Sequence, residues 1–293
     1  MRRALLLTAL ATGAALLPLP AEAGSAQVVS VSTAGATARC PHPGTATVYT
    51  VPDTGAPGGR RRVWVYRPAG RDSATTPVVY LLHGDPGSAG DLGSPQLAAL
   101  LDARTCAGLT PVVAAAPDGN GPHAEDTEWA DDARGRFRVE SFVTGRLRQV
   151  VEGRAVRSSA RRALVGFSMG GYGAVAIAER HPDTYRSAVA IAGYFHVDDP
   201  DSAFGTRPQD HGHDAAHDPD ALAAHAVGLH LLLVDGNDDR EPVTAGETQR
   251  YAQLLGARHI PVTARIDRGR HTLDYARSEL PGALAFLDHA WPG

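Results

Sequence analysis

Short apolar runs alternate with amphipathic segments from residue 45 to the end of the chain. Residues 45–68 hold two β-rich runs around the turn-rich segment PDTGAPGG, which predicts a hairpin. Three later runs are continuous and apolar, as in strands buried on both faces of a parallel sheet: PVVYLLHG, TPVVAAAPDG and RRALVGFS. Further strands are predicted at SAVAIAGY, LHLLLVDG and PVTARIDRG.

Helical segments lie between and after these strands: QLAALLDARTCAG, residues 139–153, residues 169–181, VTAGETQRYAQLLGA and LPGALAFLDHAW. The alternation predicts an α/β fold with a mostly parallel, doubly wound sheet and helices on both faces. No internal repeat or break in composition divides residues 45–293, so we expect one domain there. Two polar stretches, 120–138 and 198–217, follow strand ends, at the edge where open α/β sheets bind ligands.

Residues 1–23 have the pattern of a secretory signal peptide. Two arginines precede a short apolar stretch, and Ala21-Glu22-Ala23 forms an A-x-A cleavage site. The alternative is an uncleaved membrane anchor, but the stretch is short for a span and ends in prolines. We therefore expect a secreted protein without stable membrane insertion, with an N-terminal extension at 24–44. The net charge of −4 argues against a nucleic-acid-binding surface.

The chain has two cysteines, Cys40 and Cys106. Exported proteins meet oxidising conditions, which favours a disulfide between them. Two buried free thiols are the alternative. Neither cysteine lies at a strand-to-helix turn, so we do not expect a catalytic thiol.

The segment Gly166-Phe167-Ser168-Met169-Gly170 matches the pattern G-x-S-x-G. It lies between an apolar strand and a helix, the context in which this pattern forms a sharp turn that exposes a serine. Small neighbours are needed because side chains would clash in such a turn. Ser168 is therefore the candidate nucleophile, against the alternative of a tight turn with an incidental serine.

A serine nucleophile needs a base and an acid on loops at the same sheet edge. His271 follows the last strand, and the segment DGNDD follows the strand before it. Asp239 is the first candidate for the acid and Asp238 the second, whereas Asp235 ends its strand and caps the turn. The loop HGDPG follows the first buried strand and predicts an oxyanion hole formed by the N–H groups of Asp85 and Met169.

The chain resembles the α/β-hydrolase esterase family that includes esterase D, the feruloyl esterases and the mycobacterial mycolyltransferases. The matching segments are VYLLHG, PDG, GFSMGGYGAVAIAERHPDTYRSAVAIAGY, DGNDD and GRHTLDYARSELPGALAFL. The resemblance implies a Ser168–Asp239–His271 triad with main-chain donors at Asp85 and Met169, acting without a cofactor. It implies a small-molecule or carbohydrate-linked ester as substrate.

Some features depart from the family or leave alternatives open. Leu273 and Tyr275 follow the histidine where relatives often carry aromatics. Trp129 is either a platform for a ligand or a packed anchor of its loop. His211, His213, His217 and Asp210 or Asp214 could ligate a metal, but their irregular spacing favours a solvated loop and we predict no metal site. Besides an esterase, the alternatives are an acyltransferase, a serine peptidase and a non-catalytic binding protein on the same fold.

Overall fold

The computed structural model describes residues 27–30, 42–197, 203–205 and 211–292. In this part of the chain, one sheet has the strand order β1-β2-β3-β5-β4-β6-β7-β8-β9. The strands are β1 Gln27–Ser30, β2 Thr45–Pro52, β3 Arg60–Arg67, β4 Val78–Leu82, β5 Val113–Pro117, β6 Arg162–Phe167, β7 Ser187–Ile191, β8 His230–Gly236 and β9 Thr263–Asp267. The neighbours from β5 through β9 are parallel, and the others are antiparallel. The predicted hairpin, β2–β3, and the mostly parallel sheet are confirmed.

Helices connect the strands and follow the last one. They are α1 Ala89–Leu92, α2 Pro95–Cys106, α3 Val139–Ser141, α4 Leu147–Glu152, α5 Met169–Arg180, α6 His211–His217, α7 Pro219–Leu222, α8 Glu247–Ala257 and α9 Leu273–Ala290. Short 3₁₀ turns lie at Pro57–Gly59, Ser159–Arg161 and Ala223–Ala226, and a π-helical turn joins α3 to α4 at Phe142–Arg146. No helix in the described ranges is long and apolar enough to span a membrane.

Both faces of the central sheet are buried, as the continuous apolar runs predict. Along β4, Val78, Tyr80 and Leu82 belong to one hydrophobic cluster, whereas Val79 and Leu81 belong to another. Side chains of α3, α4, α5 and α8 complete the first cluster, and side chains of α2 and α9 complete the second. The alternation follows from the two-residue period of a strand, and it explains why the central strands carry almost no polar side chains.

The segment 139–153 differs from the single α-helix that its periodicity predicts. The Leu147 N–H donates to the Phe142 carbonyl, five residues back, which defines the π-helical turn. The Thr144 hydroxyl donates to the Glu140 carbonyl at 2.9 Å. This side-chain bond competes with the backbone for the Glu140 carbonyl beside the π-helical turn.

The last helix begins earlier than predicted, at Leu273 rather than at Leu280, and Pro281 lies inside it. The buried positions Tyr275, Ala276, Leu280 and Leu284 follow helical spacing on both sides of the proline. Burial of this continuous apolar face therefore outweighs the tendency of proline to end a helix.

Three N-terminal features lie outside the predicted domain. Gln27–Ser30, in the predicted extension, pairs with β2 as an edge strand. The predicted signal peptide lies outside the described residues. Cys40 does as well, so its disulfide with Cys106, the last residue of α2, stays a prediction.

Candidate active site

Ser168 lies at the turn between β6 and α5 in a strained conformation, with a positive φ of 56° and a ψ of −122°. A Cβ atom at Gly166 would lie 1.8 Å from the Gly170 carbonyl oxygen, and one at Gly170 would lie 2.0 Å from the Leu82 carbonyl oxygen. Both positions therefore require glycine. The close packing fixes the strained turn and directs the Ser168 side chain away from the sheet.

His271 lies on the loop between β9 and α9. Its Nε2 is 2.9 Å from Ser168 Oγ, and its Nδ1 is 2.9 Å from Asp239 Oδ2. The imidazole also packs against the Phe167 ring, with 4.8 Å between the centroids. The histidine is thus oriented by an acid on one side and reaches the serine hydroxyl with its other nitrogen.

Asp239 lies on the loop after β8, and its side chain is buried. Burial by itself would raise the pKa of this carboxyl. Hydrogen bonds from the Glu241 N–H, His271 and the Thr244 hydroxyl outweigh that effect and hold the pKa below its ordinary value. Asp239 is therefore ionised at neutral pH and suited to pair with an imidazolium.

Asp238, the second candidate for the acid, points away from the histidine. Its carboxylate forms exposed ion pairs with Arg240 and Arg270, both at 2.8 Å. The structure brings Asp239 to His271, and it does not bring Asp238 there.

Thr244 is part of the site and has no motif in the sequence. Its hydroxyl is buried, donates to Asp239 Oδ2 at 2.8 Å and lies 3.2 Å from His271 Nδ1. It begins no element and follows Asp239 by five residues across an irregular loop. Asp235 also approaches the acid. Its Oδ1 accepts from the Gly236 N–H at 2.7 Å, the capping contact that its place at the strand end predicts.

The loop after β4 runs beside the serine, since a Cβ at Gly84 would lie 3.0 Å from Ser168 Cβ. His83 holds this loop, with Nδ1 2.8 Å from the Gly84 carbonyl and Nε2 accepting from the Gly119 N–H at 2.7 Å. Met169 is the first residue of α5, so its N–H has no partner within the helix. Of the two predicted donors, Met169 follows Ser168 in the chain, and Asp85 follows Gly84 in the loop that runs beside the serine.

Trp129 is fully buried, so its ring is not available to a ligand and the prediction of a ligand platform is wrong. The indole Nε1–H donates to the His83 carbonyl at 3.0 Å, and the ring packs against Gly119 and Gly173. Trp129 is instead an anchor of the loop that carries Asp85, which is the second of the two interpretations that the sequence allows. Asn120, which the sequence analysis did not single out, also supports this loop by donating to the Gly87 carbonyl at 2.9 Å.

The structure describes only part of the Asp/His-rich stretch. Asp210 and the side chain of His211 lie outside the described part. His213 Nε2 is 2.7 Å from the Asp131 carbonyl, and His217 Nε2 is 3.1 Å from a Glu140 oxygen. Within the described residues, no group of three or more His, Cys, Asp or Glu side chains could hold a metal ion.

A family model described as "Putative esterase" matches residues 54–287, which include every candidate residue of the site. The chain belongs to this esterase family. It is accordingly an esterase-type hydrolase. A comparison of the esterase sequence with curated proteins gave no match.

Solved structures similar to the esterase have the α/β-hydrolase fold. A ferulic acid esterase has a TM-score of 0.71 and 18% identity, over 85% of this chain and 100% of its own. An S-formylglutathione hydrolase from Agrobacterium tumefaciens has a TM-score of 0.69 and 17% identity, over 85% of this chain and 96% of its own. A fluorophosphonate-binding serine hydrolase of Staphylococcus aureus has a TM-score of 0.66 and 17% identity, over 84% of this chain and 99% of its own. At these identities the likeness establishes the fold alone, which is the predicted one.

Proposed function

We propose that the protein is a serine carboxylesterase that cleaves its substrate through an acyl-enzyme on Ser168. The observation that carries the proposal is the hydrogen-bonded chain from Ser168 Oγ through His271 to Asp239, with 2.9 Å at each contact. A buried, ionised acid, a histidine and a strained serine turn are the parts that nucleophilic acyl transfer needs.

The reaction begins as Ser168 Oγ attacks the ester carbonyl carbon while His271 Nε2 takes the hydroxyl proton. The imidazolium is stabilised by Asp239, and the N–H groups of Asp85 and Met169 donate to the oxyanion. His271 then returns its proton to the leaving alkoxide, which departs as the alcohol. Water attacks the acyl-enzyme with His271 as base, which releases the acid and restores the serine.

Export of the protein is part of the proposal, with a mature chain that starts near Gly24. It is supported by the signal-peptide pattern of residues 1–23. N-terminal sequencing of protein secreted by a bacterial host tests it. A start near Gly24 supports export, and retention of Met1 in membrane-bound protein supports the anchor instead.

Labelling by a fluorophosphonate probe tests the nucleophile. The wild type and Ser187→Ala should react, and Ser168→Ala should not. Ser187 is a matched control because it is fully buried on β7 and its hydroxyl has no hydrogen-bond partner in the described structure. An unlabelled wild type would favour a binding protein, and equal labelling of both variants would place the nucleophile elsewhere.

Product analysis separates hydrolysis from transfer, because both reactions use the same acyl-enzyme. Ester turnover in water with trehalose as a competing acceptor should yield free acid. Formation of acyl-trehalose alone, without net hydrolysis, would identify an acyltransferase. Cleavage of peptide amides at rates that rival esters would identify a peptidase.

A further inference from the structure

Two carboxyl groups meet at the end of β8. Asp235 is 2% exposed, and its carboxyl is hydrogen-bonded to that of Asp239. The backbone builds this pair, since the Asp239 N–H donates to the Gly236 carbonyl at 3.0 Å and folds the loop back over the strand end. The same loop is held to β9 by the Asn237 N–H, which donates to the Asp267 carbonyl at 2.7 Å.

A hydrogen bond between two carboxyl groups requires a proton on one of them, because ionised carboxylates only accept. Asp239 accepts from the Glu241 N–H, Thr244 and His271, and these donors favour its ionised form. Asp235 accepts from the Gly236 N–H. Burial raises the pKa of Asp235, and the charge of Asp239 raises it further, to about 7. The proton therefore resides on Asp235.

We propose that Asp235 is a protonated positioning residue that donates an O–H···O hydrogen bond to Asp239 and holds this acid in register with His271. The inference rests on the proposed role of Asp239 in the triad. In this role Asp235 acts on the histidine through Asp239. Its O–H adds a further donor to a carboxylate that must stay ionised while the imidazolium forms.

Among the described residues near the pair, Tyr275 and Arg265 do not supply a free cation to Asp235. Tyr275 lies on α9, and burial raises the pKa of its phenol, with further increases from the charges of Glu279, Asp267 and Asp235. Arg265 lies on β9 but is ion-paired with Asp267 and Glu279. Ionisation of Asp235 would thus place a second negative charge beside Asp239.

Two variants separate hydrogen bonding from packing. Asp235→Asn keeps both contacts, because its amide oxygen can accept from Gly236 while its N–H donates to Asp239. Asp235→Leu keeps the approximate volume and removes both. With 4-nitrophenyl acetate at pH 6, we expect kcat of the Asn variant within about threefold of wild type and kcat of the Leu variant lowered about tenfold or more, each with KM nearly unchanged. Equal activity of all three proteins, or equal impairment of both variants, would overturn the proposal.

The pH dependence gives a readout that packing alone would not move. The ratio of wild-type to Asp235→Asn kcat/KM should be constant below about pH 6 and fall as Asp235 loses its proton near pH 7. The Asn variant has no such proton to lose, so the fall near pH 7 should come from the wild-type enzyme alone. A ratio that is constant across the whole pH range contradicts the protonated donor.

NMR of aspartate carboxyl carbons measures the proton without using activity, and Asp235→Asn assigns the resonance. The Asp235 carboxyl should titrate well above the ordinary range for aspartate, and titration within that range would disprove the inference even if the Leu variant fails to fold. Fluorophosphonate labelling of the wild type reports separately on the proposed function. A raised Asp235 titration in an unlabelled protein would leave the carboxyl pair intact and reject the esterase.

Discussion

At the scale of the residue, Asp238 and Asp239 are chemically identical neighbours with different surroundings. Asp239 is buried against His271, whereas Asp238 forms exposed ion pairs with two arginines. Asp239→Asn should lower kcat by about 10⁴-fold, because an amide cannot stabilise the imidazolium and favours the wrong tautomer. Asp238→Asn should stay within about threefold of wild type, since exposed ion pairs contribute little. Steady-state ester hydrolysis measures both, and the reverse order would assign the acid to Asp238.

Sequence reasoning located the residues that motifs and strand ends mark, and it missed those that a loop brings in. Ser168 follows from its place after an apolar strand, and His271 from its place after the last predicted strand. The position of Thr244 and the pairing of Asp235 with Asp239 depend on how the loop after β8 folds back. That fold requires the backbones of Gly236 and Gly269 to pack closely against each other. A Cβ at Gly236 would lie 2.4 Å from the Gly269 carbonyl carbon. Contacts of this kind between two loops leave no periodic pattern in a single sequence.

At the scale of the element, the turn between β6 and α5 depends on the absence of a side chain at Gly170. Gly170→Ala would place a methyl group against the Leu82 carbonyl of β4, which is backbone and cannot rotate away. We expect the free energy of unfolding to fall by about 3 kcal/mol or more. Gly256→Ala in α8 is the control, because a Cβ there meets nothing within 4 Å, and it should raise stability by about 0.5–1 kcal/mol. Urea unfolding followed by circular dichroism measures both, and a stable Gly170→Ala would refute the steric argument.

The loop after β4 is the second element that the site requires, and Trp129 fixes it through one hydrogen bond. Trp129→Phe keeps an aromatic ring and removes the donor to the His83 carbonyl. We expect kcat to fall about tenfold with KM unchanged, because loss of a buried hydrogen bond costs about 1–3 kcal/mol and loosens the oxyanion loop.

Trp64→Phe is the matched control for this variant. Trp64 is also buried, but it belongs to the hydrophobic cluster on the other face of the sheet. Both variants should lose stability, and only Trp129→Phe should lose kcat. An equal loss of kcat in both would show that Trp129 acts through general packing.

Strands and helices were predictable where the apolar residues follow a single regular spacing. They were less predictable where two local conformational preferences compete. The central strands carry an unbroken apolar signal and lie where the sequence predicts them. The π-helical turn lies where the Thr144 hydroxyl competes with the backbone for the Glu140 carbonyl, and α9 continues through Pro281 because its apolar face is buried. In both cases the competing local interactions have similar energies, and a hydrophobic pattern does not show which of them is the more favourable.

At the scale of the whole molecule, buried carboxyl groups with opposite pKa shifts determine how stability varies with pH. Burial would raise the pKa of Glu247, but hydrogen bonds from Arg250, His196 and the Phe195 N–H lower it. Burial raises the pKa of Glu179 to about 8, and the charges of Asp220 and Asp218 add to this effect. Glu247 therefore stabilises the fold above its ordinary pKa and loses that contribution in acid. Glu179 has the opposite effect as the pH rises.

Glu179→Gln tests this assignment. The native protein keeps Glu179 protonated up to about pH 8, whereas the unfolded chain ionises it above its ordinary value of 4.5, so wild-type stability is lost between these values. Glutamine cannot ionise and can still accept from the Tyr251 hydroxyl. The variant should match wild type near pH 4 and be more stable by roughly 3–5 kcal/mol at pH 8. Glu247→Gln should show the opposite trend, with its stability deficit largest at pH 8 and smallest near pH 4. Unfolding free energies across this range decide the matter, because a Glu179→Gln difference that does not grow with pH means that Glu179 is ionised in the folded protein.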